Sequence, residues 1–176
     1  QHLWVIIRCD ASDPDRFGYE CLDSDLDPVL KLADWGTTGY ALGELRQPHA
    51  IAIHKRGRIF VADRQNNWIQ IFDQEGAFIA QWTQFGRPSG IYFDAHDTIY
   101  VADSESDNVQ NPGWKMGIRI GDALSGWVRH FIRLPAGHPR IQSGNGAEFV
   151  AVDREGNLYG GEPSTRKLQK YVRVHP

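Results

Sequence analysis

The sequence predicts an all-β chain of repeated, short-stranded sheets, in the form of a propeller or a solenoid. Residues 48–63 and 88–103 align without a gap at an interval of 40. The alignment pairs Pro48 with Pro88, Ile51 with Ile91, Ile59 with Ile99, Val61 with Val101 and Asp63 with Asp103. A third, weaker copy runs over 147–162, and Leu158 stands 59 beyond Ile99, so about 19 residues are inserted between the second and third units. Units of this period stack because one small sheet cannot bury its own apolar face. Gly and Pro interrupt every window that would hold a helical period, so little helix is expected.

The elements follow in chain order. Trp4-Val5-Ile6-Ile7 reads as a buried strand. Asp10 to Asp27 is rich in Asp, with Pro14 and Gly18 inside it and Pro28 after it, and reads as a long loop. Residues 1–28 are therefore an irregular N-terminal segment, and 29–176 hold the repeats. Residues 29–47 read as the end of a blade, with Val29 to Gly36 as its last strand.

The first full unit is 48–87. Small Ala50 and Ala52 alternate with Ile51 and Ile53, as on an inner strand facing a crowded axis. Gly57 lets the turn Lys55 to Arg58 take positive φ. Ile59-Phe60-Val61-Ala62 is apolar on both faces, which fits a strand covered from both sides. Trp68 to Phe72 and Ala77 to Trp82 complete four strands, with Asp73 to Gly76 turning between them. Residues 88–132 repeat this plan with an insertion, Asn108 to Trp127, and Trp127 to Ile132 read as a core strand. Arg133 to Asn145 is a second irregular stretch. Residues 146–176 form the last unit, turning at Asp153 to Asn157. Ile51, Ile53, Ile59, Val61, Ile71, Ile91, Ile99, Val101, Val150, Val152 and Leu158 are expected between blades. His54 and His96 are expected in exposed turns.

The 176 residues hold about three to four blades at 40–45 residues each. The ring is then partial: the chain is a fragment, closes by self-association, or forms an open propeller. Nineteen basic against 22 acidic residues give a net charge of −3, so no field steers it to nucleic acid. The densest basic stretch, Arg166, Lys167, Lys170 and Arg173, reads as a solvated outer strand. No apolar run approaches the 18 or so residues of a membrane-spanning helix. No secretory signal is visible, and a first residue of Gln rather than Met suggests that something preceding it was removed. Cys9 and Cys21 form a disulfide or remain thiols, and only His2 lies nearby for a zinc site. The compartment stays open, with an extracytoplasmic one favoured.

Pro48-His49-x-Ile51-Ala52-Ile53, followed by Gly57-Arg58-Ile59-Phe60-Val61-Ala62-Asp63-Arg64-Gln65-Asn66-Asn67-x-Ile69-Gln70-Ile71-Phe72, resembles an NHL repeat. The resemblance covers roughly residues 32–172 and is clearest from Gly43 to Asp103. It implies a β-propeller of four-stranded NHL-type blades, usually six in a ring. Such folds host scaffolds, binders and enzymes alike, so it implies no one activity. Some NHL propellers bind RNA, which makes an RNA-binding module one expectation. The Pro-His segment is also similar to peptidyl-hydroxyglycine amidating lyase, in which Pro-His at the start of several blades holds zinc.

The resemblance carries a zinc-ligand role onto His49, whereas Ser89 and Glu148 stand at the matching places of the later units. His49 and Glu148 are thus the candidate metal ligands, for zinc or calcium. Arg64 and Tyr19 are the candidates for the lyase's channel arginine and tyrosine. From repeat geometry, His49, Ser89 and Glu148 should converge at one end of the channel, with Arg64 beside them to hold an anionic group. Asp63 and Asp103, matched by Glu162, end their strands as caps on the next turn. Trp114, in the insertion, is a candidate ligand or partner contact.

The leading expectation is a propeller without enzymatic activity that offers a rim and channel surface to a protein or small molecule. A metal-dependent lyase or hydrolase is the alternative. The uncovered blade faces should be buried by a homodimer or by further blades of a parent chain.

Overall fold

The computed structural model describes residues 4–10, 13–22, 28–32, 36–134, 146–162 and 167–173, with side chains from residue 36 onward. It is all-β: fourteen strands and one short 3-10 turn, Arg64–Asn66, among the described residues. The chain divides into two compact units, Gln1–Arg46 and Gln47–Pro176.

In the first unit, β1 (Trp4–Asp10), β2 (Asp13–Leu22) and β3 (Pro28–Leu32) form an antiparallel sheet in that order. This corrects the loop expected over Asp10 to Asp27, and residues 1–28 are not an irregular lead-in. Pro14 and Asp15 fall at a break in the register, and β2 is held by Phe17 to Leu22, which pair with β1, and by Tyr19 to Leu22, which pair with β3 as well. Cys21 lies opposite Val5, four residues along β1 from Cys9. That offset is roughly 13 Å of strand, beyond the Cα separation a disulfide spans.

The second unit holds the repeats. The first blade is β4 (Pro48–Ile53), β5 (Ile59–Asp63), β6 (Trp68–Phe72) and β7 (Phe78–Trp82). The second is β8 (Pro88–Phe93), β9 (Thr98–Asp103), β10 (Gly117–Asp122) and β11 (Val128–Arg133). The third is β12 (Phe149–Val152), β13 (Leu158–Glu162) and β14 (Lys167–Tyr171). Every neighbour is antiparallel and sequential. The repeat is reproduced residue by residue: Ala50 faces Ala62 as Gly90 faces Ala102, and Ile51 faces Val61 as Ile91 faces Val101. The insertion is shorter than expected, because β10 occupies the second half of Asn108 to Trp127. Residues 104–116 separate β9 from β10, where 64–67 separate β5 from β6.

Two cores hold the blades together. Phe60, Ile69, Ile71 and Trp82 of the first blade pack with Phe85, Ile99 and Val101, backed by Ile91 and Phe93. Ala102, Ile118 and Leu134 pack with Ala147 and Leu158, backed by Val150, Val152 and Tyr171. Ile53, expected in a core, is 65% exposed at the end of β4. Trp127, expected as core, precedes β11 and is 73% exposed. His54 departs in the other direction. It is buried at 2% exposure, its Nε2 lies 2.8 Å from Asp97 Oδ1, and its ring stands edge-on to Phe93 at 5.1 Å. A carboxylate from the next blade lets the imidazole be buried as an inter-blade wedge.

Candidate functional site

The site grows from the strand starts. Pro48 and Pro88 open β4 and β8 at their first positions, where a missing N–H costs no ladder bond. The residues after them, His49 and Ser89, are brought together: His49 Nδ1 lies 2.8 Å from the Ser89 carbonyl oxygen. A carbonyl only accepts, so Nδ1 carries the hydrogen and donates it, and in the neutral ring Nε2 is left as an acceptor. Ser89 itself is buried, and its hydroxyl meets that of Ser104 at 2.6 Å. Ser89 therefore contributes a carbonyl to the site, and its side chain faces into the blade.

Below these strand starts lies a set of charges. Arg64, the first residue after β5, places Nη1 3.5 Å from Glu105 Oε1 and 3.6 Å from Glu148 Oε1. Arg87 donates from Nε to Glu105 Oε2 at 2.9 Å and from Nη1 to the Arg64 carbonyl at 3.0 Å and to Asn67 Oδ1 at 3.1 Å. Asn67 is held at φ 62, the left-handed conformation that lets its side chain reach back to this network and on to the Gln110 carbonyl. Arg64 and Arg87 are buried, whereas the side chains of Glu105 and Glu148 remain 25% and 21% exposed. The Arg64 Nε is buried without a hydrogen-bond partner among the described residues. The mouth is thus balanced, two guanidinium groups against two carboxylates, with the carboxylates nearer to solvent.

Sequence reasoning missed Arg87, Glu105 and Gly90. Gly90 was aligned with Ala50, but only its missing side chain reveals its role: a Cβ there would stand 2.5 Å from the Glu148 carbonyl oxygen. That close approach sets Glu148 against β8.

A supporting layer sits behind the mouth. Asp63 is fully buried and accepts hydrogen bonds from Asn66 Nδ2 and Trp68 Nε1, both at 2.7 Å. Asp103, its repeat partner, takes the Ser106 hydroxyl at 2.6 Å, the Arg87 N–H at 3.1 Å and Arg119 Nη1 at 2.9 Å. Burial pushes the Asp103 carboxyl up, against the opposing pull of Ser106 and Arg119. Burial likewise lowers the Arg119 guanidinium, against Asp103. These aspartates organise the turns after β5 and β9, and neither is among the exposed groups of the mouth.

Trp114 lies elsewhere. It is half-buried, and its ring is covered by Arg119 at 4.8 Å, so one face is already occupied. Tyr19 lies in β2 of the first unit, where only the backbone is described.

No group of three or more His, Cys, Asp or Glu side chains converges among the described residues. Glu148 lies beside the Arg64 guanidinium, which a cation would have to displace. Zinc wants three or four N, S or O ligands and calcium six to eight oxygens.

The comparisons with known proteins agree with this architecture. Residues 45–72, which span β4, β5 and β6, match the model of the NHL repeat. That stretch, the first three strands of the first blade, is similar to an NHL repeat. It is 46% identical over 54 residues to protein lin-41 of Caenorhabditis elegans, a match covering 31% of this chain and 4% of that protein. It is 28% identical over 124 residues to protein brain tumor of Drosophila melanogaster, covering 70% of this chain and 11% of that protein. The chain thus spans a small part of the length of these relatives. Among solved structures, the WD40 β-propeller domain of Doa1 superposes with a TM-score of 0.55 at 12% identity. That match covers 98% of this chain and 51% of that one, and shows the fold alone.

Proposed function

We propose that this NHL-repeat chain is a binding module whose ligand or protein partner docks at the mouth formed by His49, Ser89, Glu148, Arg64 and Glu105. Two contacts between blades support this reading: His49 bonds to the Ser89 carbonyl, and Arg64 lies against Glu148. Charge placement suggests what docks there. The buried partners are guanidinium groups, whereas the groups nearer solvent are two carboxylates, and the half-buried His49 adds an Nε2 acceptor. Such a surface favours a donor-rich or cationic group, such as a Lys or Arg side chain of a partner. Arg64 is a poor anchor for an anion, because Glu105 and Glu148 already flank its Nη1 and would repel one.

Titration with short Lys- and Arg-containing peptides against acidic ones, followed by amide chemical shifts, tests the proposal. Basic peptides should shift residues around 49, 105 and 148. Glu148→Gln should weaken that binding by about tenfold, the scale of one charge-assisted hydrogen bond of roughly 1.5 kcal/mol. Preferential binding of acidic peptides, or affinity unchanged in Glu148→Gln, would overturn it.

A further inference from the structure

The turn between β10 and β11 carries a large aromatic side chain that the repeat does not call for. The Asp122 N–H bonds to the Trp127 carbonyl oxygen at 2.9 Å, as the Asp73 N–H bonds to that of Ala77 at 3.0 Å in the first blade. Trp127 thus takes the place of an alanine, and it is 73% exposed. The turn holds it in place. The Asp122 carboxylate accepts from the Leu124 N–H at 3.0 Å and from the Ser125 N–H and hydroxyl at 2.9 Å. Gly126, at φ 73, lies so close to the Gln84 amide and the Trp82 ring that a Cβ there would clash with both.

An open cavity lies between Trp127 and Gln84, with Ser125, Gly126 and Val128 as its other walls. Its volume of about 420 Å³ falls within the roughly 300–1,000 Å³ of small-ligand sites. The walls come from the β7–β8 connection and the β10–β11 turn, both inside the described run 36–134. Gln84 Nε2 donates to the Gly126 carbonyl at 2.9 Å. Its second N–H and its Oε1 have no hydrogen-bond partner among the described residues, and neither has the Trp127 indole N–H. On the adjoining strand Arg129 is paired with Asp122 at 2.6 Å, so charge there is balanced.

We infer that this cavity binds a neutral pyranose sugar, one ring of an oligosaccharide, seated on the indole face of Trp127. The negative face of an aromatic ring attracts the weakly positive C–H groups on one side of a pyranose. Hydroxyls around the sugar's edge both donate and accept, which suits the Gln84 Oε1 acceptor and the two N–H donors. A wholly apolar guest would strip water from those groups and return no hydrogen bond. A nucleotide base would also stack, but it brings a phosphate, and Arg129 is already held by Asp122. The cavity shares no lining residue with the mouth around His49, so either reading can fail without the other.

Saturation-transfer NMR on the full chain, with neutral oligosaccharides of glucose, galactose, mannose and N-acetylglucosamine, tests the inference. At least one should receive saturation at its ring C–H protons. Trp127→Ala, which installs the residue of the first blade, should lower that affinity about tenfold with an unchanged far-UV spectrum. Trp127→Phe, which keeps a smaller face, should lower it less, and gives the reading should the alanine variant lose its β spectrum. Gln84→Met, which keeps length but not the polar groups, should also weaken binding. Binding of none of these sugars, an affinity unchanged in the Trp127 variants, or nucleoside monophosphates bound in preference to sugars would overturn the inference.

Discussion

At the residue scale, the buried polar side chains are organised by their partners. Asp63 and Asp103 are equivalent in the repeat but differ in environment. Asp63 accepts from the side chains of Asn66 and Trp68, and Asp103 accepts from the guanidinium of Arg119. Half-buried turn aspartates behave differently again. Asp97 is held low by Lys55 and then His54, and Asp153 by Asn157. Tyr100 gives the clearest prediction with pH. Burial pushes its phenol from 10.0 up to about 12, with the Asp94 carboxylate adding and Arg173 opposing. Tyr171, across the inter-blade groove, is raised in the same direction, chiefly by burial. A folded-state value above the unfolded one favours the protonated phenol in the fold. Its contribution to stability is therefore complete below pH 10.0 and is lost as pH rises toward about 12. Urea unfolding on either side of that window should show the wild type losing stability with rising pH. Tyr100→Phe should lose less. An equal loss in both proteins would place the alkaline sensitivity elsewhere.

At the element scale, the same logic says which parts of the fold could be read in advance. The interval between Pro48 and Pro88, and between Asp63 and Asp103, fixes β4, β5, β8 and β9, because inward positions in stacked blades tolerate few residue types. β10 is less legible, since Gly117, Arg119 and Gly121 break the apolar pattern. Arg119 becomes acceptable in a strand only because Asp103, the Lys115 carbonyl and two aromatic rings receive it. β2 is illegible for a related reason: its Asp and Pro residues carry turn chemistry, and the pairing of Phe17 to Leu22 beyond them overrides it. At the mouth, the positions of His49 and Glu148 follow from the repeat. Arg87 and Glu105 do not, because they lie in connections that the repeat leaves free. Gly90 shows how one position couples elements. In the first blade the matching Ala50 carries a Cβ without penalty, but at Gly90 the Glu148 carbonyl oxygen and the Phe149 Cα stand 2.5 and 3.3 Å from where a Cβ would be. Backbone cannot yield as a side-chain tip does. Gly90→Ala should therefore destabilise the protein by about 1–3 kcal/mol, the usual cost of forcing an extra methyl into a packed contact. Denaturant unfolding measures it, and no change in midpoint would mean that the second and third blades approach less closely than this.

At the scale of the whole molecule, stability in a repeat chain is distributed by neighbours rather than by sequence position. The second blade alone contributes to both cores. Ile99 and Val101 of β9 belong to the first, and Ala102 of β9 and Ile118 of β10 to the second. All four are at 0% exposure. The first unit, Gln1–Arg46, has its own three-stranded sheet and one bridge, between Thr38 and Leu45. Opening β9 or β10 breaks both inter-blade cores at once, so their amides open only with the whole repeat unit. Opening β14 breaks one ladder and leaves the first core untouched. Native-state hydrogen exchange should therefore show β9 and β10 exchanging slowest, with opening energies near the global value. At dilution, where any association is lost, β14 should exchange fastest of the repeat strands. A destabilising change in one core, such as Ile118→Ala, should accelerate exchange in the second and third blades before it reaches the first. Uniform exchange rates across all three blades would mean that the unit opens as a single cooperative block, and the neighbour-by-neighbour account of its stability would fail.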